Sequence, residues 1–297
     1  TKAIYAQHTF GLPCNVAALK QIAKEFNLFI IEDAAHCLGG SYKNNKIGSL
    51  GDAAFFSTDH SKMISTHLGG IATTNSHDIA KKLREIQKNA NNISIISRQK
   101  IAISFLLESI LFSNYLLWLG KPINVVLVKI KLIFGFGDEL LTSVPKNYPF
   151  PSRMSKFQAL LGASQIQRLD QNLNHRFKII KSINYFLKRY DYQDLVKNNL
   201  ALLRYSFLVK DRAEFEKKFS RYFDLQIWFT SVLHMRQSGL NEVFYIENSC
   251  PNAEFASKHI VNFPTHPKIQ QGIIDSELSK NLSWLESNII KEMPNKQ

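Results

Sequence analysis

The chain has 297 residues, 45% of them hydrophobic, which is enough to bury a large core and to build two domains. Three cysteines (Cys14, Cys37, Cys250) at unrelated spacings make neither a disulfide framework nor a metal site, and no leader of the secretory kind opens the sequence; a reducing cytoplasm is expected, and no metal. The net charge is +13, and residues 153 to 221 carry 15 Lys/Arg against 6 Asp/Glu. With no recognisable nucleic-acid module beside it, that basic face suits a nucleotide diphosphate or plain solvent, not nucleic acid.

In chain order, AIYAQHTFG (3–11) reads as a strand running into a turn at Gly11. Asn15 can cap a helix over 16–26 whose Ala18, Leu19, Ile22 and Phe26 share one face. Leu28 to Ile31 is an unbroken apolar run ending on Glu32 and Asp33, and Ala53 to Phe56 is a second run ending on Ser57, with Lys62 soon after. Such runs are the mark of buried parallel strands, so the class is α/β. Open α/β sheets bind ligands beyond the carboxyl ends of their strands, so Asp33, Ser57 and Lys62 are expected to converge on one crevice. A carboxylate, a hydroxyl and an amine are the groups a pyridoxal phosphate site needs. The carboxylate keeps the pyridine nitrogen protonated, the hydroxyl holds phosphate, and the amine attaches to the aldehyde and moves a proton.

Gly70 to Thr74 reads as a short strand, and Ser76 can cap a helix over 77–89. Residues 93 to 147 are unusual: 101–120 hold one charge, Glu108, and a second apolar run follows Gly120-Lys121-Pro122. The first run has the length of a bilayer span, but Glu108, Asn114 and three serines lower its hydrophobicity. A buried helical hairpin and a hairpin lying on an anionic membrane through Lys100, Lys121, Lys129 and Lys131 are the competing readings. From Arg153 a helix is expected with Ala159, Leu160, Ala163, Ile166 and Leu169 on one face; ALLRYSFLVKD (201–211) then reads as a strand and RAEFEKKFSRYF (212–223) as a helix.

The stretch IIEDAAHCLGGSYKNNKIGSLGDAAFFSTDHSK (30–62) resembles the DegT/StrS family of sugar aminotransferases, which have the fold-type I pyridoxal phosphate architecture. So do RMSKFQALLGASQIQRLDQNLNHR (153–176) and CPNAEFASKHIVNFPTHPKI (250–269). The resemblance implies Lys62 as the Schiff-base lysine, Asp33 as partner of the pyridine nitrogen, Ser57 as a phosphate ligand and His36 beside the ring hydroxyl. It implies a large cofactor domain with a mostly parallel sheet over 1–92, incomplete at its N-terminal side, and a small α+β domain over 148–297, with 93–147 an apolar insertion between them. It further implies a homodimer that takes an amino-acid donor, glutamate first, and a nucleotide-linked keto-sugar, in polysaccharide or amino-sugar synthesis. Peripheral membrane contact through 93–147 is an added expectation.

Three positions depart from the family pattern: Leu68 stands where an acid is usual, Gln87-Lys88 where an Arg-bearing turn is usual, and Pro151-Ser152 where Asn-Tyr is usual. They keep two alternatives open. One is a dehydratase of the same fold, in which histidine replaces the lysine (His60 is close by). The other is a non-catalytic binding or assembly subunit.

Overall fold

A computed structural model describes residues 1–112, 116–133, 152–225, 228–233, 240 and 244–292. Asn114, Pro151 and the tail beyond residue 292 lie outside the described residues. The apolar runs become strands. Ala3–Gln7 (β1), Phe29–Asp33 (β2) and Ala53–Ser57 (β3) pair in parallel, with Ile31 opposite Ala53 and Asp33 opposite Phe55. Gly70–Thr73 (β4) runs antiparallel to β3, giving the order β1-β2-β3-β4.

Val16–Glu25 (α1) crosses between β1 and β2, capped by Asn15, whose side chain accepts from the Ala18 N–H at 3.2 Å. Leu19 packs on Ala6, Ala23 and Ile30. Ile22 and Phe26, expected on the inner face, are 44% and 62% exposed. The helix meets β1 and β2 through Leu19 and Ala23, while Val16 joins the larger core cluster.

The turn between β2 and β3 is held from inside. The fully buried Glu32 carboxylate accepts from the backbone N–H groups of Gly48 (3.0 Å), Leu50 (2.6 Å) and Gly51 (2.7 Å), and pairs with His8 Nε2 at 3.1 Å. Gly48 sits at φ +90°, and a Cβ there would meet the Phe56 ring at 2.4 Å, so only glycine closes this loop. Burial raises the Glu32 pKa, but those hydrogen bonds outweigh it and hold the group below the ordinary glutamate range. A depressed carboxyl stabilises the fold above its unfolded pKa, and the stabilisation is lost as pH falls through the folded one. Glu32→Ala would strand three buried donors, and we expect about 3 kcal/mol off the unfolding free energy at neutral pH, read from urea midpoints. The deficit relative to wild type should shrink below pH 4.

His77–Asn89 (α2) starts at Ser76, which accepts from Ile79 N–H. Gln87 and Lys88 fall in its exposed last turn, inside the helix expected over 77–89. The insertion forms two helices, Ile95–Leu111 (α3) and Leu117–Lys129 (α4), in contact with each other. Gly120-Lys121-Pro122 lies inside α4 and is not the joint between the runs. Gly120 serves close packing: a Cβ there would meet the Leu111 carbonyl oxygen at 2.1 Å. Among the described residues no helix is long and apolar enough to cross a membrane.

Lys156–Ile166 (α5) opens with a full capping box of Ser155 and Gln158. The expected single helix breaks before Leu169–Leu187 (α6). The apolar face of α5 is exposed (Leu160 72%, Ile166 48%), while Gln158 and Gly162 face inward. After Tyr192–Lys197 (α7) come Arg204–Val209 (β5), Arg212–Phe219 (α8), Pro251–His259 (α9), Ile260–Pro264 (β6), Gln271–Lys280 (α10), Leu282–Asn288 (α11) and Ile289–Ile290 (β7). Strand β5 is central and antiparallel to both β6 and β7. Phe207, Phe215, Phe219, Phe223 and Phe263 fill the core beside it, in one apolar cluster continuous with Phe56 of the first sheet and with Ala34 and Met63 in the loops beyond its strands. The two sheets are thereby fixed relative to Lys62.

Candidate active site

Asp33 and Ser57 are the last residues of the neighbouring parallel strands β2 and β3, so both stand at the carboxyl edge of the sheet. Asp33 Oδ1 accepts from the Ala35 N–H at 3.0 Å and Oδ2 from the Tyr5 hydroxyl at 2.8 Å, which orients the carboxylate. Burial first, and then Asp33, push Tyr5 up to about 12, so it stays a donor at neutral pH. Ser57 Oγ accepts from the Asp59 N–H at 3.3 Å and shapes the turn toward Lys62.

Lys62 Nζ lies 3.1 Å from His36 Nε2. His36 Nδ1 accepts from the Phe10 N–H at 3.1 Å, so in the neutral ring the proton sits on Nε2. An imidazole N–H on Nε2 would face a lone pair of the Lys62 amine. Burial lowers the Lys62 pKa, and the repulsion of Arg204 adds to it, against the pull of Asp59 and Asp33. An uncharged amine is the nucleophilic form.

His36 stacks on Trp228 (5.4 Å between rings, 18°), and Lys62 Nζ is 4.8 Å from the centroid of that indole. Trp228 thus covers His36 in this structure, with Phe10 and Phe229 stacked at 6.1 and 6.4 Å between rings. Amine, carboxylate and hydroxyl fit pyridoxal phosphate on the chemistry of the groups present.

The loop carrying Lys62 is pinned from behind by side-chain amides. Gln165 Oε1 accepts from Ser65 N–H (2.9 Å) and its Nε2 donates to Ser65 O (2.6 Å). Gln158 Nε2 donates to Leu68 O (2.7 Å), and Asn172 Nδ2 to Met63 O (2.7 Å). Gln158 and Gln165 stand two helical turns apart on α5 and Asn172 follows in the first turn of α6, amides whose role the apolar pattern hides. Gln158→Leu would free two loop carbonyls, and we expect about 1–2 kcal/mol of destabilisation together with looser cofactor binding, checked by thermal melts with and without cofactor.

Next to this loop, Asp59 Oδ1 and His60 Nδ1 are 2.7 Å apart; each resists the desolvation cost of burial, His60 held above and Asp59 below its ordinary pKa. His67 Nδ1 faces Glu108 Oε2 at 3.4 Å. Arg176, fully buried, is held by neutral acceptors: Asn172 Oδ1 (2.8 Å), Thr265 Oγ1 (2.8 Å) and Leu203 O (3.2 Å), and burial lowers it to about 9. Lys62, Arg176, Arg204 and the insertion's Phe105 and Glu108 line one cavity of about 690 Å³. Asp33, His36 and Ser57 lie outside that cavity's lining.

The profile of the DegT/DnrJ/EryC1/StrS aminotransferase family matches residues 1–101 and 135–276. The chain belongs to this family. Its members are pyridoxal phosphate aminotransferases with the fold-type I architecture seen here as a parallel sheet joined to a small antiparallel one. The chain is 31% identical over 180 residues to GDP-perosamine synthase of Caulobacter vibrioides, covering 61% of this chain and 36% of that protein. It is 40% identical over 88 residues to dTDP-3-amino-3,6-dideoxy-alpha-D-galactopyranose transaminase of Aneurinibacillus thermoaerophilus, covering 29% of this chain and 24% of that one. The fold matches Helicobacter pylori PseC, an aminotransferase involved in the biosynthesis of pseudoaminic acid. That match has a TM-score of 0.64 and 18% identity, and covers 96% of this chain and 67% of that one. A DegT/DnrJ/EryC1/StrS aminotransferase from Brucella abortus aligns with a TM-score of 0.63 at 20% identity, over 94% of this chain and 64% of that one. The matched stretches thus span well under two thirds of the curated relatives. The family profile passes over residues 102–134, which hold most of the hairpin α3–α4.

Proposed function

We propose that this family member is a pyridoxal phosphate aminotransferase that moves the amino group of an amino acid, glutamate first, to the keto group of a nucleotide-linked sugar. The observation that carries the reading is the Lys62 amine, which lies 3.1 Å from His36 Nε2 and lines a cavity rich in cations. When bound, the cofactor supplies an electron sink for the charge left at the donor carbon once its proton is removed. Lys62 Nζ would attach the cofactor and would then hold and move the donor's Cα proton. Asp33 would hold a proton on the ring nitrogen, Ser57 would hold phosphate, and His36 Nε2 would orient the Lys62 amine. Because burial lowers the Lys62 pKa, attachment should stay fast to lower pH than for an ordinary lysine amine and slow as pH falls further, measured by stopped-flow absorbance.

The dehydratase alternative needs a histidine in the place of the lysine. His60 Nδ1 is committed to Asp59, whereas Lys62 stands on His36, which favours the transfer reaction. The departure at Leu68, which supported a non-catalytic subunit, has a packing cause: Leu68 clusters with Ile93 and with Ile101 of α3. The exposed apolar face of α5 supports a homodimer. The outer face of the hairpin, with Leu106, Ile110, Val126 and Ile130 each more than half exposed, supports contact with an anionic bilayer at the cytoplasmic surface, where polysaccharide precursors are made.

The test is to incubate the protein with cofactor, glutamate and GDP- or dTDP-linked keto-hexoses and follow the sugar by mass spectrometry. An amino sugar formed with glutamate consumption is expected. No amino sugar from any acceptor would contradict the reading.

A further inference from the structure

We propose that the hairpin α3–α4 is a wall of the acceptor pocket, and that its residues Phe105, Asn124, Val128 and Lys129 select an anionic sugar diphosphate. The proposal rests on the aminotransferase reading of Lys62 and extends it to residues the family profile does not include.

The hairpin is docked at three places. Ile101, 0% exposed, packs on Leu68 in the loop that follows Lys62. Glu108 faces His67 of the same loop. From the small domain, Lys268 Nζ donates to the Glu108 and Ser109 carbonyls at 3.3 Å, capping the last turn of α3 with a cation. The insertion is therefore held against both halves of the site.

Between them lies the cavity of about 690 Å³, within the range of small-ligand pockets. Its lining joins Lys62 to the hairpin's Phe105, Phe112, Val128 and Lys129. Arg176, Arg204 and Lys268 add cations to that lining, against the carboxylates of Glu108 and Asp224. A cation-rich wall facing an apolar one suits a diphosphate joined to a flat or weakly polar group. Ser61 Oγ and the hairpin's Asn124 Oδ1, both on residues of this lining, are buried with no hydrogen-bond partner. Buried polar atoms are costly to leave unpaired, and a hydroxyl-rich ligand can pair with them after a rotamer change. Sugar, diphosphate and apolar group together describe a nucleotide-linked hexose.

The experiment measures binding of GDP, dTDP and their linked hexoses to the cofactor-loaded protein by calorimetry, for wild type, Lys129→Ala and Val128→Trp. Lys129→Ala should raise Kd about tenfold, the loss of one charge-assisted contact, and Val128→Trp should abolish hexose binding by filling the cavity. Thermal melts show whether the bulky variant folds, and the exposed Lys129 keeps the test decisive if it does not. Wild-type affinity in Lys129→Ala, with folded Val128→Trp also unchanged or unfolded, would overturn the hairpin's role. The donor half-reaction of wild type reports separately: if glutamate does not react at all, the reading of Lys62 fails, whatever the hairpin binds.

Discussion

Lys62→Ala should remove amino transfer, by roughly 10⁴-fold or more, while leaving the fold in place. One side chain supplies both the nucleophile and the proton carrier, so its loss cannot be shared out among neighbours. The protein around it should hold its shape, because the loop is fixed by Gln158, Gln165 and Asn172 through backbone groups and not through the amine. Removing a desolvated amine also relieves a burial cost. Cofactor should bind more weakly and without covalent attachment, visible as free-aldehyde absorbance. Turnover near the wild-type value would remove Lys62 from the mechanism.

Asp33→Asn should leave cofactor affinity within about tenfold yet slow the half-reaction with glutamate by about 10³-fold. The amide is nearly the same size and keeps an oxygen for the Ala35 N–H, while its nitrogen can face the Tyr5 hydroxyl as a donor; the end of β2 should not move. What the amide lacks is the negative charge that holds a proton on the ring nitrogen, and without that proton the ring accepts electrons poorly. Single-turnover kinetics under saturating cofactor separate the two effects. An unaltered half-reaction rate would take Asp33 out of this role. Tyr5→Phe is the companion variant: it removes one hydrogen bond and no charge, so a much smaller loss is expected.

The elements near Lys62 were legible because their signals are local. Apolar runs ending in Asp33 and Ser57 mark strands, although only one face of β2 is buried, with Phe29 and Ile31 exposed on the other, and the Asn15 and Ser76 caps mark where helices begin. The amides behind the loop were not legible. Gln158 and Gln165 bond backbone groups roughly one hundred residues away, and polar residues on an apolar helix pass for its wet face. In α5 the inference from periodicity was inverted: Leu160 is outside and Gln158 inside, because what α5 covers is a loop of unpaired carbonyls and not an apolar sheet. Nor could the hairpin's place be read, since Leu68, Glu108 and Lys268 meet only in three dimensions. Their hint was the lone Glu108 in an apolar run, an acid too costly to bury without a partner.

The central claim is that Lys62 is the residue to which the cofactor attaches. Borohydride reduction of the protein loaded with pyridoxal phosphate, followed by proteolysis and mass spectrometry, tests it directly. The account predicts one modified peptide, carrying the reduced cofactor on Lys62, and none when Lys62 is replaced by alanine. A stable adduct on another lysine, or no adduct on a protein that still transfers amino groups, would contradict it.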